Sequence, residues 1–191
     1  MLHYVSMTNY IFSCFLTLTS CVYIYTMTRI GLISDTHSYL DDAVFKHFDN
    51  CDEIWHAGDF GNIELADKLA AFKPLKGVYG NIDGKDIRQI YPEHLRFNCE
   101  GVDVWMTHIG GYPGKYSPAV KKEIYLNPPK LFICGHSHIL KVMPDKTIGC
   151  LHLNPGAAGQ QGWHKVRTLM RFNLDGDKIQ DLQVIELAGR W

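Results

Sequence analysis

From Arg29 onward the chain alternates short apolar runs with amphipathic stretches, and groups of Asp, His, Asn and Gly recur just past the apolar runs. That alternation marks strands interleaved with helices, so an α/β architecture follows. Residues 30–34 read as a buried strand, 40–48 as a helix, 53–56 as a strand, 64–72 as a second helix and 75–79 as a third strand. The rhythm then changes. Residues 95–98 and 102–107 flank Glu100-Gly101, a hairpin signal, so antiparallel pairing enters and a second sheet is expected. Ser117-Pro118 supplies an N-cap followed by proline at the first helical position, which predicts a helix to about Leu126, ended by Pro128-Pro129. Further strands are expected at 131–134, near Lys141, and at 149–153, 168–173 and 178–186, the last two joined across Asp175-Gly176.

A chain of 191 residues, 46% hydrophobic and 20% charged, can bury one substantial core, and no repeat or linker divides it. A single domain over residues 27–191 is expected. The formal net charge of −1 argues against a general nucleic-acid or membrane-surface role, so no stable nucleic-acid partner is expected. The average conceals a division. Lys and Arg minus Asp and Glu gives −6 over residues 29–111, +7 over 112–171 and −2 over 172–191. Two readings of the basic middle stand: a solvated face, or a set including Lys115, Lys121, Lys122, Arg167 or Arg171 that attracts an anionic substrate. The six cysteines form no Cys-x-x-Cys pair, which suits a reduced, cytoplasmic chain, and Cys134 sits in an apolar run as a small core hydrophobe.

The first 26 residues stand apart, because residues 10–25 are mostly apolar and carry no charge. The stretch is too short and too rich in Thr and Ser to span a bilayer. Leu18-Thr19-Ser20-Cys21 resembles the lipid-attachment box of bacterial lipoproteins, although no Lys or Arg precedes it; a membrane connection is expected only if that signal is real. The favoured reading takes Met27 as the start, since a strand begins at once after it. Residues 1–26 therefore stay outside the fold reasoning.

Single motifs in this chain mean little: with 14 Asp, 10 His and 17 Gly, a chance Asp-x-His or His-x-His is expected about 0.5 to 0.7 times. Order and placement carry the argument. Asp35-Thr36-His37, Gly58-Asp59, Gly80-Asn81, His108 and Gly135-His136-Ser137-His138 each follow the end of an expected strand. Ligands of open α/β sheets bind outside those carboxyl ends, so the five segments can share one cleft. Two carboxylates, four imidazoles and one amide carbonyl are O and N donors without thiolate, which suits Mn²⁺, Fe²⁺, Zn²⁺, Ni²⁺ or Co²⁺. Seven donors exceed one tetrahedral site. With one carboxylate bridging, they divide between two ions about 3.5–4 Å apart, the spacing of two-metal hydrolytic centres.

The order Asp-x-His, Gly-Asp, Gly-Asn-x-Asp, His, Gly-His-x-His resembles the calcineurin-like metallophosphoesterase superfamily, and its short spacing resembles the small bacterial and archaeal phosphodiesterase branch. Asn154-Pro155-Gly156 is similar to that branch as well. The resemblance implies a four-layer α-β-β-α sandwich of two mixed β-sheets flanked by helices. It implies that Asp35, His37 and His138 hold one metal, that Asp59 bridges to the other, and that Asn81, His108 and His136 complete the second. Mn²⁺ is the first expectation for both ions, with Zn²⁺, Fe²⁺, Ni²⁺ or Co²⁺ as alternatives. The implied activity is hydrolysis of phosphodiesters, with activated phosphomonoesters beside them, by attack of a water or hydroxide between the metals. Asp59, Asn81 and His108 then belong to the catalytic set, the last two orienting the phosphate of a small phosphoester substrate. A homo-oligomer is left open.

One departure matters. Many larger members carry His directly after the Gly-Asn pair, where it serves the leaving oxygen; here the residue is Ile82, which cannot transfer a proton. A preference for good leaving groups, such as aryl or nucleotide-like esters, is expected from it. Asp83 matches the family's acidic position and is expected to orient a neighbour. His47, His56, His94 and His152 match no ligand position, Trp55 and Trp105 read as core, and residues 163–165 read as a surface loop, with a mobile edge of the site as the alternative. The segment 110–116, with hinge glycines, Tyr112 and Lys115 directly after His108, is expected to contact substrate. The competing function is a catalytically weak assembly scaffold, since the resemblance extends to the eukaryotic retromer subunit.

Overall fold

The computed structural model describes residues 27–187, so the readings made on residues 1–26 lie outside the described residues. Twelve strands and four helices follow one another as β1 Thr28–Ile33, α1 Asp42–Phe48, β2 Glu53–His56, α2 Ile63–Phe72, β3 Leu75–Gly77, α3 Lys85–Ile90, β4 His94–Cys99, β5 Val102–Thr107, β6 Gly111–Tyr112, β7 Lys115–Tyr116, α4 Pro118–Leu126, β8 Leu131–Ile133, β9 Lys141–Asp145, β10 Cys150–Asn154, β11 Arg167–Asp175 and β12 Lys178–Leu187. One sheet has the order β12-β11-β1-β2-β3 and the other β4-β5-β8-β10-β9. Both are mixed. β1, β2 and β3 run parallel while β11 pairs antiparallel with β1 and β12 antiparallel with β11, and β5, β8 and β10 run parallel between antiparallel β4 and β9.

The period-two alternation of each strand sorts its side chains into layers. Ile30, Leu32, Trp55, Met170 and Phe172 of the first sheet meet Val102, Val104, Met106, Leu131 and Ile133 of the second in the central core. Residues of opposite parity face outward. Ile33, Ile54 and Leu169 pack under α1, α2 and α3 with Val44, Phe48, Leu69 and Ile87. Trp105, Phe132 and Cys150 pack under α4 with Val120 and Ile124. The result is the expected four-layer α-β-β-α sandwich. Trp55 stands at its centre, edge-on to Phe97 and Phe172 at 5.1 and 5.7 Å, and Trp105 is buried as well.

Several expectations need adjustment. Helix α3 was not foreseen, because six residues with Ile87 and Ile90 as their only apolar positions give no readable period. Glu100-Gly101 is the hairpin loop as expected, with Cys99 opposite Val102, but the second hairpin turns one residue later than the sequence suggests: Asp175 pairs with Lys178, leaving Gly176 and Asp177 as the loop. Segment 110–116 contains a small hairpin, β6-β7, in place of an open loop. Ser117 precedes α4 as expected, yet its hydroxyl donates to the Ile109 carbonyl at 2.7 Å and caps nothing. None of the described helices is long and apolar enough to cross a membrane.

Candidate metal centre

The parallel strands deliver all five chemistry-bearing segments to one rim. Beyond the last β1-β2 pair the backbones stay joined, with Asp35 N donating to the Gly58 carbonyl and His37 N to the Asp59 carbonyl, both at 3.0 Å. The second sheet is tied similarly by Gly135 N to the His108 carbonyl at 3.0 Å. These bonds join the turns within each sheet, and His136 N to Asp35 Oδ2 at 3.1 Å and His108 Nδ1 to the Ala57 carbonyl at 2.7 Å tie the two sheets' turns together.

Two groups of side chains converge there, Asp35-His37-His138 and Asp59-His108-His136, each compact enough to hold a metal ion. Within the first, His138 Nε2 lies 3.2 Å from Asp35 Oδ1 and 3.2 Å from His37 Nε2. Asp59 joins the groups: its Oδ2 is 3.2 Å from His108 Nε2 and 3.7 Å from His37 Nε2. Asn81 lies on the same rim, lining a cleft beside His108. Every one of the seven residues singled out in the sequence is therefore at this rim.

The donor set fits cations. Asp35 Oδ1 and His108 Nε2 are buried and make no well-aligned hydrogen bond; each faces another candidate ligand at 3.2 Å, His138 Nε2 and Asp59 Oδ2 respectively, an arrangement that a cation would satisfy. The opposite atom of each side chain is anchored. His108 Nδ1 bonds the Ala57 carbonyl at 2.7 Å, which leaves the Nε2 lone pair facing the cluster. Asp35 Oδ2 accepts from Ser34 Oγ at 2.7 Å and from His136 N at 3.1 Å, and Asp59 Oδ1 accepts from Ile82 N at 3.1 Å. Burial lowers the His108 pKa, but the Asp59 and Asp35 carboxylates beside its ring outweigh that and hold it above the ordinary value. The Asp35 carboxylate likewise raises His138, whereas burial lowers His37 and His136. Asp59, pushed up by burial, is drawn below its ordinary value mainly by His108.

The backbone adds a signal that the sequence does not carry. Asp35, His37, Asp59, His136 and His138 all have φ between 48° and 66°, the left-handed region, which is uncommon for any residue but Gly although Asn, Asp and His enter it more often than most. Such strain persists only where the surroundings enforce it, and it clusters at functional sites. Gly80 is required for another reason: a Cβ there would overlap the Asp59 carboxylate.

Several supporting residues escaped the sequence reading. Asn154 Nδ2 donates to the Gly135 carbonyl at 2.8 Å and to Ser137 Oγ at 3.2 Å, bracing the turn that carries His136 and His138. Arg88 donates to the carbonyls of Gly80, Asn81 and Asp83 and stacks 4.3 Å from the Tyr79 ring centroid. Asp83 accepts from Gly61 N and Gly80 N, in line with the orienting role expected for it. His164 sits 5.3 Å from the His138 ring, so segment 163–165 borders the site, while Trp163 is fully exposed. Arg88 stands in no motif; Asn154 and Asp83 do, but which turns they hold emerges only from the fold.

Other expectations fare differently. Arg167 is buried against Asp41 at 2.8 Å, and Arg171 donates to the His47 carbonyl, so both serve packing. The cleft, about 570 Å³, is lined by Tyr79, Arg88, His94, Ile109, Ser117 and Pro118 among others, but not by Tyr112 or Lys115. Tyr112 lies under Lys141 Nζ, 3.5 Å from the ring centroid. His56 is the buried, hydrogen-bonded histidine foreseen: Nε2 meets Thr36 Oγ1 at 3.0 Å, Nδ1 accepts from Gly58 N, and burial pushes its pKa down to about 3.

Comparison with known proteins agrees with this geometry. A probable metallophosphoesterase of Methanothermobacter thermautotrophicus is 28% identical over 163 residues, covering 82% of this chain and 91% of that protein. A second, from Methanocaldococcus jannaschii, is 44% identical over 139 residues, 67% of each chain. Among solved structures, a mutant Vps29 from Entamoeba histolytica superposes with a TM-score of 0.66 at 15% identity, over 84% of this chain and 99% of that one. An archaeal phosphodiesterase gives 0.63 at 22%, over 83% and 99%. At such identities the structural likeness speaks for the fold. The profile of the calcineurin-like phosphoesterase superfamily domain matches residues 28–177, the span that contains both sheets' ligand-bearing turns, and the chain belongs to that superfamily.

Proposed function

We propose that this protein is a metal-dependent phosphodiesterase with a two-ion centre. Asp35, His37 and His138 hold one ion, Asn81, His108 and His136 the other, and Asp59 lies between them. The observation that carries the reading is the single Asp59 oxygen within 3.7 Å of a histidine nitrogen from each group. Two divalent ions, Mn²⁺ first among Zn²⁺, Fe²⁺, Ni²⁺ and Co²⁺, would supply a water of lowered pKa and neutralise charge building on the phosphoryl oxygens.

The chain's own residues do the rest. The Ala57 carbonyl fixes His108 in the tautomer whose Nε2 faces the cluster. Asn81 and His108 orient the phosphate at the mouth of the cleft, whose 570 Å³ receives the second ester group of a small diester. Activated monoesters fit the same site. The likeness to an archaeal phosphodiesterase supports diesters as the substrate class. Free Cys51, Cys99, Cys134 and Cys150 suit a reducing compartment such as the cytoplasm.

The likeness to Vps29 favours a second reading, an assembly scaffold of the same fold. A scaffold without ions, however, has no use for two buried carboxylates and four imidazoles gathered into two groups whose ligand atoms lie within 4.8 Å of one another. The discriminating experiment is hydrolysis of bis(4-nitrophenyl) phosphate by chelator-treated protein with Mn²⁺ restored. Metal-dependent turnover that Asp59→Asn abolishes supports the phosphodiesterase; no turnover with any of the five metals supports the scaffold.

A further inference from the structure

Ile82 occupies the family's usual proton-donor position with an apolar, 46% exposed side chain, while its backbone N–H is committed to Asp59 Oδ1. The leaving oxygen of a diester would still require a proton unless it departs as a stable anion. The cleft supplies another group. His94 lines the same wall system as Asn81 and His108, and its imidazole is exposed to solvent.

His94 is held on the wall of the cleft that Asn81 and His108 also line. It opens β4 opposite Thr107, the residue immediately before His108. The chain just before it is strapped to both neighbouring segments: Tyr79 N donates to the Pro92 carbonyl at 3.0 Å, the Tyr79 hydroxyl to Glu93 Oε2 at 2.9 Å, and Thr107 Oγ1 to the Glu93 carbonyl at 3.2 Å. Tyr79 leads into Gly80-Asn81, and Thr107 into His108. The same bonds that place the phosphate-orienting pair therefore place His94. Trp105 stands beside the imidazole, with ring centroids 5.9 Å apart.

The charged and titratable neighbours leave the imidazole available. Glu93 is engaged by the Tyr79 hydroxyl, Arg96 pairs with Asp103 at 2.6 Å, and Arg88 is tied to the carbonyls of Gly80, Asn81 and Asp83. His108, the remaining titratable group on the cleft wall, faces Asp59 through Nε2. A volume of 570 Å³ is within the range one small ligand fills, so an ester whose phosphorus sits at Asn81 and His108 extends along the wall that carries His94.

Building on the phosphodiesterase reading, we propose that His94 donates the proton to the leaving-group oxygen. As the bond from the attacking water's oxygen to phosphorus forms, the bond from phosphorus to the leaving oxygen breaks. The electron pair departs with that oxygen, which takes one proton from the His94 imidazolium. The proton lost by the attacking water passes to solvent, and solvent restores the imidazolium. The proposal replaces the aryl preference expected from Ile82 with competence on poorer leaving groups.

The test compares methyl 4-nitrophenyl phosphate with methyl phenyl phosphate on the Mn²⁺-loaded wild type, His94→Ala and His94→Gln. General acid catalysis contributes about 100-fold or more where the leaving group needs it. Both variants should therefore lose on the order of 100-fold in kcat on the phenyl ester but less than about ten-fold on the nitrophenyl ester. Added imidazole should restore part of the phenyl-ester rate of His94→Ala alone, with metal content and circular dichroism as in the wild type. Equal losses on the two esters, or no selective loss, would overturn the assignment, as would a wild type already much slower on the phenyl ester and indifferent to His94→Ala. A wild type that hydrolyses neither ester defeats the phosphodiesterase reading, and this proposal with it.

Discussion

The two ends of the sandwich solve the same backbone problem in different ways. At the hairpin end, left-handed geometry falls largely on glycine: Gly101 and Gly176 have φ of 122° and 54°, with Glu100 at 56° beside them. At the opposite rim Gly58, Gly61 and Ser38 share left-handed geometry with five ligand side chains, Asp35, His37, Asp59, His136 and His138. A glycine would relieve each of these, but it would remove a donor. The rim thus keeps strain of about 1–3 kcal/mol per residue where chemistry requires the side chain, while the hairpin end keeps little. Asp35 Oδ1 and His108 Nε2, buried without a well-aligned hydrogen bond, belong to the rim as well. The difference teaches that the rim is organised around something besides the protein's own stability.

The largest effect expected is on activity at the rim. Asp59→Asn should lower kcat/KM for an activated diester on the order of 1000-fold, because it removes charge where the two groups meet. His136→Gly should break the comparison from within: relief of the left-handed backbone should hold or raise the melting temperature of metal-free protein, while metal-dependent turnover collapses. A lower melting temperature would show that the rim is not strained. Next comes Asn154→Ala, which frees the Gly135 carbonyl and Ser137 Oγ. It should weaken metal affinity about 10-fold or more in a calorimetric titration, with a stability loss of about 1–3 kcal/mol.

The pH dependence follows from the two raised histidines. His108 and His138 hold protons above the ordinary value of 6.5, yet a metal requires neutral imidazole, so protons compete with the ion into the neutral range. Metal affinity should therefore rise with pH through and above 6.5, with proton release visible as a buffer-dependent binding enthalpy. A flat affinity from pH 6 to 8 would contradict those shifts. The smallest effect belongs to the hairpin end. Glu100→Asn places a residue tolerant of left-handed backbone before Gly101, at the loss of the Thr28 hydroxyl's bond to Glu100. Stability by denaturant unfolding should change by under about 1 kcal/mol, and turnover should not change.

How far the sequence could be read follows the same division. Strand cores were legible because burial enforces period two, as in Ile30 and Leu32 against Ile33, and the ligands because each follows a strand end in fixed order. Short helix α3 was not, since Ile87 and Ile90 alone define no face. Nor was Arg88, and Asn154 was legible only as part of Asn154-Pro155-Gly156, since their hydrogen bonds go to backbone carbonyls of turns that only the tertiary fold brings near. The basic middle of the chain misled in part for the same reason: Arg167 finds Asp41, 126 residues away, and charge counting along a sequence cannot anticipate such a partner.

The central claim is that two ions share this rim through Asp59. Equilibrium dialysis of chelator-treated protein against Mn²⁺, with bound metal counted per chain, tests it directly. The account predicts two ions for the wild type and at most one for Asp59→Ala. One ion in the wild type, or two that survive Asp59→Ala unchanged, would contradict it.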